Sequence, residues 1–304
     1  MLRTAILIIL TALTISGCNN LQNKKMNMTS TKSKEVKQDS VSGYAPVNGL
    51  NMYYEIHGAG TPLVLIHGGG STIQTTFGRV LHLLAKNHRV IAVELQAHGH
   101  TADINRSETF EQDADDVAAL LKYLKIENAS FFGFSNGGHT SMEIAIRHPE
   151  IVNNLVIASA PCKRNGFVPG FFDGLQHATL ANMPQELKTA FLKINPDTAK
   201  LQIMFNRDRE RMIEFRDWSD EQIKSITAPT LLINGDADVI TPEHAVEMMR
   251  LLPHARLSIL PGTHGAYISE ITTGTEHSKM PDLTVSMIEE FLNDPMTKKI
   301  SCFE

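Results

Sequence analysis

The chain is poor in the features that usually announce a scaffold or a cofactor. Three cysteines in 304 residues exclude a disulfide framework, and a chain of this length buries enough surface to need none. No apolar stretch reaches the roughly 18 residues that a membrane-spanning helix requires. No Gly-x-Gly-x-x-Gly or phosphate-loop pattern occurs, so no cofactor is implied. No His-Glu-x-x-His or cysteine-rich spacing occurs either, and the 13 histidines are scattered. His98 and His100 stand two apart, while His254 and His264 fall on separate loops, so no metal is expected. Basic charge is scarce where nucleic acid would need it: residues 1–40 carry a net +4 and the remainder −9, which argues against phosphate neutralisation and hence against a nucleic-acid partner. At 42% hydrophobic and 20% charged, the body is nevertheless a folding sequence.

Residues 1–17 combine a basic start at Arg3 with an apolar run from Ala5 to Ile15, the layout of a secretory signal. The run ends in Ile15-Ser16-Gly17-Cys18, which resembles the bacterial lipoprotein box. That resemblance implies cleavage before Cys18, lipidation of Cys18, and a lipid-anchored location in the cell envelope, on the periplasmic or outer-membrane side. Residues 18–43 are then the lipidated cysteine and a polar tether without aromatic residues, too poor in apolar side chains to fold alone.

From residue 44 onward the pattern alternates. Short apolar runs predict strands at Leu50–Ile56, Leu63–Ile66, Arg89–Val93, Ala129–Phe134, Leu155–Ser159, Thr230–Asn234 and Arg256–Leu260. Helical spacing lies between them over Ile73–Lys86, Phe110–Leu124, Asn136–His148, Pro242–Leu252 and Pro281–Leu292. Continuous apolar strands alternating with helices predict an α/β fold with a mostly parallel sheet covered on both faces. Residues 161–227 interrupt that rhythm with helix-like pieces and no strand, and read as an insertion.

The chemistry-bearing residues fall just after predicted strands. Gly133-Phe134-Ser135-Asn136-Gly137 fits Gly-x-Ser-x-Gly between a strand and a helix, the setting of a nucleophile elbow that lifts a serine hydroxyl above the sheet. The Asn136 amide then opens a helix, where it can stabilise an oxyanion. His67-Gly68-Gly69-Gly70 follows an earlier strand; its glycines allow close approach of backbone amides, with Gly69 favoured over Gly70 as donor. His67 reads as a hydrogen-bonded structural residue. Gly235-Asp236-Ala237-Asp238 and Thr263-His264-Gly265 follow the last two strands, completing the chain order Ser, Asp, His. Composition alone leaves Asp236 and Asp238 both open as the acid.

Residues 44–293 resemble a small α/β-hydrolase of the lactonase and non-haem haloperoxidase type. Besides the motifs above, Glu94-Leu95-Gln96-Ala97-His98-Gly99-His100-Thr101 is similar to that family's Asp-x-Arg-Gly-x-Gly-x-Ser loop, with departures at Glu94, Gln96, Ala97 and Thr101. The resemblance implies an eight-stranded α/β-hydrolase domain over 44–304 with a helical lid at about 161–227. It assigns Ser135 as nucleophile, Asp238 as acid and His264 as base, with the amides of Gly69 and Asn136 as oxyanion donors. The implied activity is hydrolysis of an ester, lactone or related acyl bond in a small, largely apolar substrate. A proline-iminopeptidase type of aminopeptidase and a non-catalytic, lipid-anchored binding protein are the alternatives; Asn136 departs from the tryptophan that usually follows the serine in the former. The lid's Phe167, Phe171, Phe172, Met183, Phe191, Met204, Phe205, Met212, Phe215 and Trp218 read either as a substrate pocket or as the lid's own core. Arg207, Arg209 and Arg211, alternating with Asp208 and Glu210, read as a solvated helix face. Cys162 and Cys302 can pair only if the fold brings their Cα atoms together.

Overall fold

The computed structural model describes residues 40–275 and 277–294. The lipoprotein box, Cys18, most of the tether and Cys302 lie outside the described residues. No helix among the described residues is long and apolar enough to cross a membrane.

The strands are β1 (Val41–Val47), β2 (Leu50–His57), β3 (Thr61–Ile66), β4 (His88–Val93), β5 (Ala129–Phe134), β6 (Val152–Ala158), β7 (Thr230–Gly235) and β8 (Ala255–Leu260). The helices are α1 (Ile73–Phe77), α2 (Leu81–Leu84), α3 (Phe110–Tyr123), α4 (Asn136–Arg147), α5 (Phe171–His177), α6 (Gln185–Ile194), α7 (Thr198–Glu214), α8 (Asp220–Lys224), α9 (Pro242–Leu251) and α10 (Met280–Asn293). One sheet runs in the order β1-β2-β4-β3-β5-β6-β7-β8. β2 is antiparallel to β1 and β4, and the remaining pairings are parallel. This is the eight-stranded α/β-hydrolase arrangement that the resemblance implies, seven of its strands being those the sequence pattern predicts.

The run of apolar residues in each central strand splits by the two-residue period of the pleat. Val64, Ile66, Ile91, Val93, Phe131, Leu155 and Ile157 face one core layer, packed against α3, α4 and α9. Leu63, Leu65, Val90, Ala92, Phe132, Phe134, Val156 and Ala158 face the other, against α1, α2 and α10. Both faces being covered, a continuous apolar strand is what this sheet requires.

Two features differ from the sequence reading. β1 begins at Val41, ahead of residue 44; its outward positions are polar or exposed, so it carries little strand signal, and pairing with β2 around Asn48-Gly49 defines it. The predicted helix over Ile73–Lys86 is two short helices separated by a turn over 78–80.

Segment 161–227 crosses above the strand ends as α5 to α8 with short 3₁₀ turns. Met183, Leu187, Phe191, Leu201 and Met204 form its own cluster with Ala97.

Candidate active site

β5 ends at Phe134 and α4 begins at Asn136, so Ser135 alone makes the turn. Its φ of 53° and ψ of −119° lie where side-chain-bearing residues rarely sit. The flanking glycines make that turn possible. A Cβ on Gly133 would collide with the carbonyl oxygen of Gly137, and one on Gly137 with the carbonyl oxygen of Ile66 at the end of β3. Gly137→Ala is therefore expected to cost about 3 kcal/mol, the upper part of the range for overpacking, and to lower Tm by roughly 6–12 °C. Gly174→Ala, with nothing within 4 Å of the new methyl, serves as the control and should melt with the wild type. Equal Tm values for both variants would contradict the close approach.

His264 and Asp238 arrive from the loops after β8 and β7. His264 Nδ1 lies 2.7 Å from Asp238 Oδ1, and the imidazole packs on the ring of Phe134, centroids 4.7 Å apart. His264 and the elbow thus share one end of the sheet. Asp238 is buried and accepts from three further donors: Ser159 Oγ at 2.5 Å, Ile240 N at 3.2 Å and Gly235 N at 3.5 Å. Burial alone would raise its pKa, but the hydrogen bond and charge of His264, with Ser159, hold the carboxylate below its ordinary value. Asp236 instead accepts from Gly262 N at 2.8 Å in an exposed position. The carboxylate that meets the imidazole is Asp238.

Sequence reasoning missed what stands behind Asp238. Ser159 sits at φ 52° just past β6, and its hydroxyl lies 2.6 Å from the hydroxyl of buried Tyr267. A carboxylate only accepts, so Ser159 donates to Asp238 and Tyr267 donates to Ser159. Burial pushes the Tyr267 phenol well above its usual pKa, which keeps it a donor. The one signal was position: a serine closing an apolar strand beside the elbow.

The glycine loop after β3 supplies the opposite wall. His67 is fully buried, with Nδ1 2.8 Å from Gly68 O and Nε2 accepting from Leu95 N at 3.1 Å. Burial and the charge of His98 push it down to about 3, a neutral structural histidine as the sequence reading held. Ser71 N bonds Gly68 O and Gly68 N meets Thr76 Oγ1. Gly70 N donates to Asp208 Oδ2 at 2.5 Å. The Gly69 amide and the Asn136 amide opening α4 have no partner among the described residues.

The arginines of α7 correct the expectation of a solvated face. Arg207 pairs with Asp103, and Arg209 donates to the carbonyl oxygens of Leu175 and Gln176. Arg211 is only 4% exposed and lies against Glu108, Asp113 and Asp208 at 2.9, 2.6 and 2.5 Å. Alternating charges read as a surface because charges are seldom buried unpaired; here the partners come from a distant segment. His98 joins this cluster, its Nε2 2.8 Å from Asp208 Oδ2 and its Nδ1 2.8 Å from Gln96 O. Both ring nitrogens face acceptors, so both carry protons and His98 is an imidazolium. Burial opposes that charge, but Asp208 and Glu108 outweigh it and lift the imidazole to about 9. Burial pushes Glu108 up as well, against the pull of Arg211 and His98, while His98 and Arg211 hold Asp208 below the ordinary carboxylate range. Ligand atoms of His98, Glu108 and Asp208 lie within 4.8 Å of one another, a spacing that would suit a metal ion, but Arg211 already supplies the cation there.

The family-like loop departs in sequence yet performs a structural role. Buried Glu94 accepts from His100 N at 2.6 Å and Ile73 N at 3.4 Å, while Thr101 Oγ1 donates to Glu94 O at 2.7 Å. Over Ser135 lies a cavity of about 390 Å³, walled by Phe171, Leu175, Met183, Leu187, Phe205 and Met212 and also lined by Gly69, Asn136 and Asp208. Of the lid residues singled out from sequence, Phe171, Met183, Met204, Phe205 and Met212 line it. Phe167, Phe215 and Trp218 pack into the main core, and Phe191 into the lid's own cluster. Cys162 is buried with its thiol 3.6 Å from His244 Nε2.

Residues 63–270 match the Alpha/beta hydrolase family. The chain is 25% identical over 249 residues to a non-heme haloperoxidase of Rhodococcus erythropolis, covering 72% of this chain and 90% of that one. It is 24% identical over 258 residues to the 2-hydroxy-6-oxo-6-(2'-aminophenyl)hexa-2,4-dienoic acid hydrolase of Metapseudomonas resinovorans, covering 76% and 88%. The structure of a meta-cleavage product hydrolase from Pseudomonas fluorescens superposes with a TM-score of 0.68 at 23% identity, over 84% of this chain and 98% of that one. With its sheet order, its elbow and a family match over most of its length, the chain belongs to the alpha/beta hydrolase family and is a hydrolase.

Proposed function

We propose that this chain is a serine hydrolase that cleaves an ester, lactone or related acyl bond in a small, largely apolar substrate. The observation that carries the reading is the placement, at one end of the sheet, of a serine on a strained elbow and of an imidazole that packs on the neighbouring Phe134 and is already oriented by a buried carboxylate. In the reaction His264 takes the proton of Ser135 as its oxygen bonds to the acyl carbon. Asp238 holds the imidazole in the tautomer with Nε2 free and stabilises the imidazolium that forms. The carbonyl oxygen, now negative, lies between the amides of Gly69 and Asn136. Collapse expels the leaving group with the proton from His264, and water then repeats the sequence on the acyl-enzyme. The apolar walls of the cavity favour an aliphatic or aromatic acyl group, and the relative named as a dienoic acid hydrolase is in keeping with such a substrate.

An aminopeptidase would need a carboxylate free to receive the substrate's ammonium. Asp208, the cavity's carboxylate, is already taken by four donors, which weighs against that alternative. The test is labelling with a fluorophosphonate, followed by a panel of acyl esters, lactones and aminoacyl amides. Labelling of Ser135 with turnover of esters or lactones is expected. A chain that takes no label is a binding protein on this fold, and preferential turnover of prolyl amides favours the aminopeptidase.

We further propose that the enzyme is held at the cell envelope by lipid on Cys18, with residues 19–40 as its tether; the support is the apolar run ending in Ile-Ser-Gly-Cys. Two attached signals suffice for stable anchoring, and a multiply acylated cysteine meets that requirement. Intact mass of the membrane fraction is expected to show a chain starting at Cys18 with acyl chains added, and Cys18→Ala is expected to lack them. Mature protein that starts elsewhere or lacks acyl mass would reject the anchor.

A further inference from the structure

The two amides proposed to form the oxyanion hole come from separate parts of the chain, the loop after β3 and the first turn of α4. An oxyanion hole works only when its donors sit about 2.7–3.1 Å from the developing charge, so something must fix the spacing between those segments. The atoms that bridge them belong to the lid. Asp208 of α7 accepts Gly70 N on Oδ2 at 2.5 Å and the Asn136 side-chain amide on Oδ1 at 3.1 Å. The same two oxygens take His98 Nε2 at 2.8 Å and Arg211 Nη2 at 2.5 Å.

We infer that Asp208 is a positioning residue for the oxyanion hole, its carboxylate tying the glycine loop and Asn136 into one frame from above. The inference rests on the assignment of Gly69 and Asn136 as oxyanion donors. By engaging Gly70 N, Asp208 fixes which amide of the loop remains available, namely that of Gly69. Its place is close: a Cβ on Gly69 would lie 3.4 Å from the Asp208 carboxyl carbon. A lone carboxylate so near a forming oxyanion would oppose the reaction. His98 as imidazolium and Arg211 offset its charge beside the hole. Arg211 is in turn held by Asp113 of α3 and by Glu108 just ahead of that helix, which anchors α7 to the body. The buried ion pairs therefore act on geometry at the reacting centre, a role that their placement explains better than stability does.

The experiment measures kcat and KM with 4-nitrophenyl butyrate for wild type, Asp208→Asn, Asn136→Ala and the double variant. Rates are normalised to active sites titrated with a fluorophosphonate, and Tm is recorded for each. Asp208→Asn is expected to lower kcat about 100-fold, the effect of misplacing reacting groups by roughly 1 Å, with KM changed by no more than about threefold. Asn136→Ala, which keeps its backbone amide, is expected to lower kcat about tenfold, because it cuts one arm of the frame. The double variant should be no slower than Asp208→Asn alone, since both changes remove one linkage. Wild-type kcat in Asp208→Asn, or a loss confined to KM or to the titrated fraction, would overturn the inference. Should Asp208→Asn fail to melt cooperatively, Asn136→Ala decides: a kcat loss at unchanged KM supports the frame, and unaltered kcat overturns it. A wild type that neither labels nor turns over ester would instead remove the functional reading on which the inference rests.

Discussion

Ser135→Ala is expected to lower kcat on an activated ester by about 10⁶-fold, the scale on which removal of a serine nucleophile acts in a working triad. The residue is chosen by backbone as much as by chemistry. At φ 53° between Phe134 and Asn136, the chain accepts strain to lift one hydroxyl to the cavity floor, and strain of this kind costs on the order of 1–3 kcal/mol. Alanine adopts the same backbone with a shorter side chain, so Tm should stay close to that of the wild type. The measurement pairs steady-state kinetics with a thermal melt. An alanine variant that kept more than about a hundredth of wild-type kcat would sink the nucleophile assignment, because the residual catalysis of a triad lacking its serine lies far below that.

Asp238→Asn is expected to cost about 10⁴-fold in kcat, since an amide that presents its N–H to the ring favours the wrong imidazole tautomer. The network leaves that amide group no side without a donor facing it. Asp238 receives donors on both oxygens, His264 Nδ1 and Ile240 N on one, Ser159 Oγ and Gly235 N on the other. An asparagine must offer a donor on one side, and either choice breaks a bond to a group that also donates. Asp236→Asn, which alters a hydrogen bond to Gly262 N in an exposed turn, is expected to change stability by about 1 kcal/mol and leave kcat nearly as it was. Both variants are assayed side by side for kcat and Tm. If Asp236→Asn were inactive and Asp238→Asn merely less stable, the acid would be Asp236.

What was legible in the sequence was what depends on neighbours along the chain. The elbow is a five-residue pattern whose glycines are required by carbonyl oxygens a few residues away or at an adjoining strand end. The strands carry their burial in their own composition, so Leu63–Ile66 and Ala129–Phe134 could be read directly. The choice of Asp238 over Asp236 needed the resemblance; in the fold it is Asp238 that meets His264, while Asp236 meets Gly262. What was not legible depends on pairs far apart in sequence. Arg211 meets Asp113 from 98 residues away, and Ser159 meets Asp238 from 79. Alternation of charge along α7 looks the same whether its partners are water or buried carboxylates. β1 shows the same limit: its exposed positions carry no apolar period, and only pairing with β2 makes it a strand.

The position of Asp208 has a consequence for how such enzymes diverge. In a fold whose reacting groups sit on sheet loops and whose pocket walls come from one inserted segment, the segment could be exchanged to admit a new substrate while the chemistry stayed intact. Here the inserted segment also carries one end of an ionic lock, Asp208 and Arg211, whose other end is His98, Glu108 and Asp113 in the body. Roof and foundation are therefore inherited together. Substitution among the apolar side chains of α5 and α6 leaves that lock untouched, whereas replacement of the whole roof would strip His98, Glu108 and Asp113 of their partners and so demands matched changes below it.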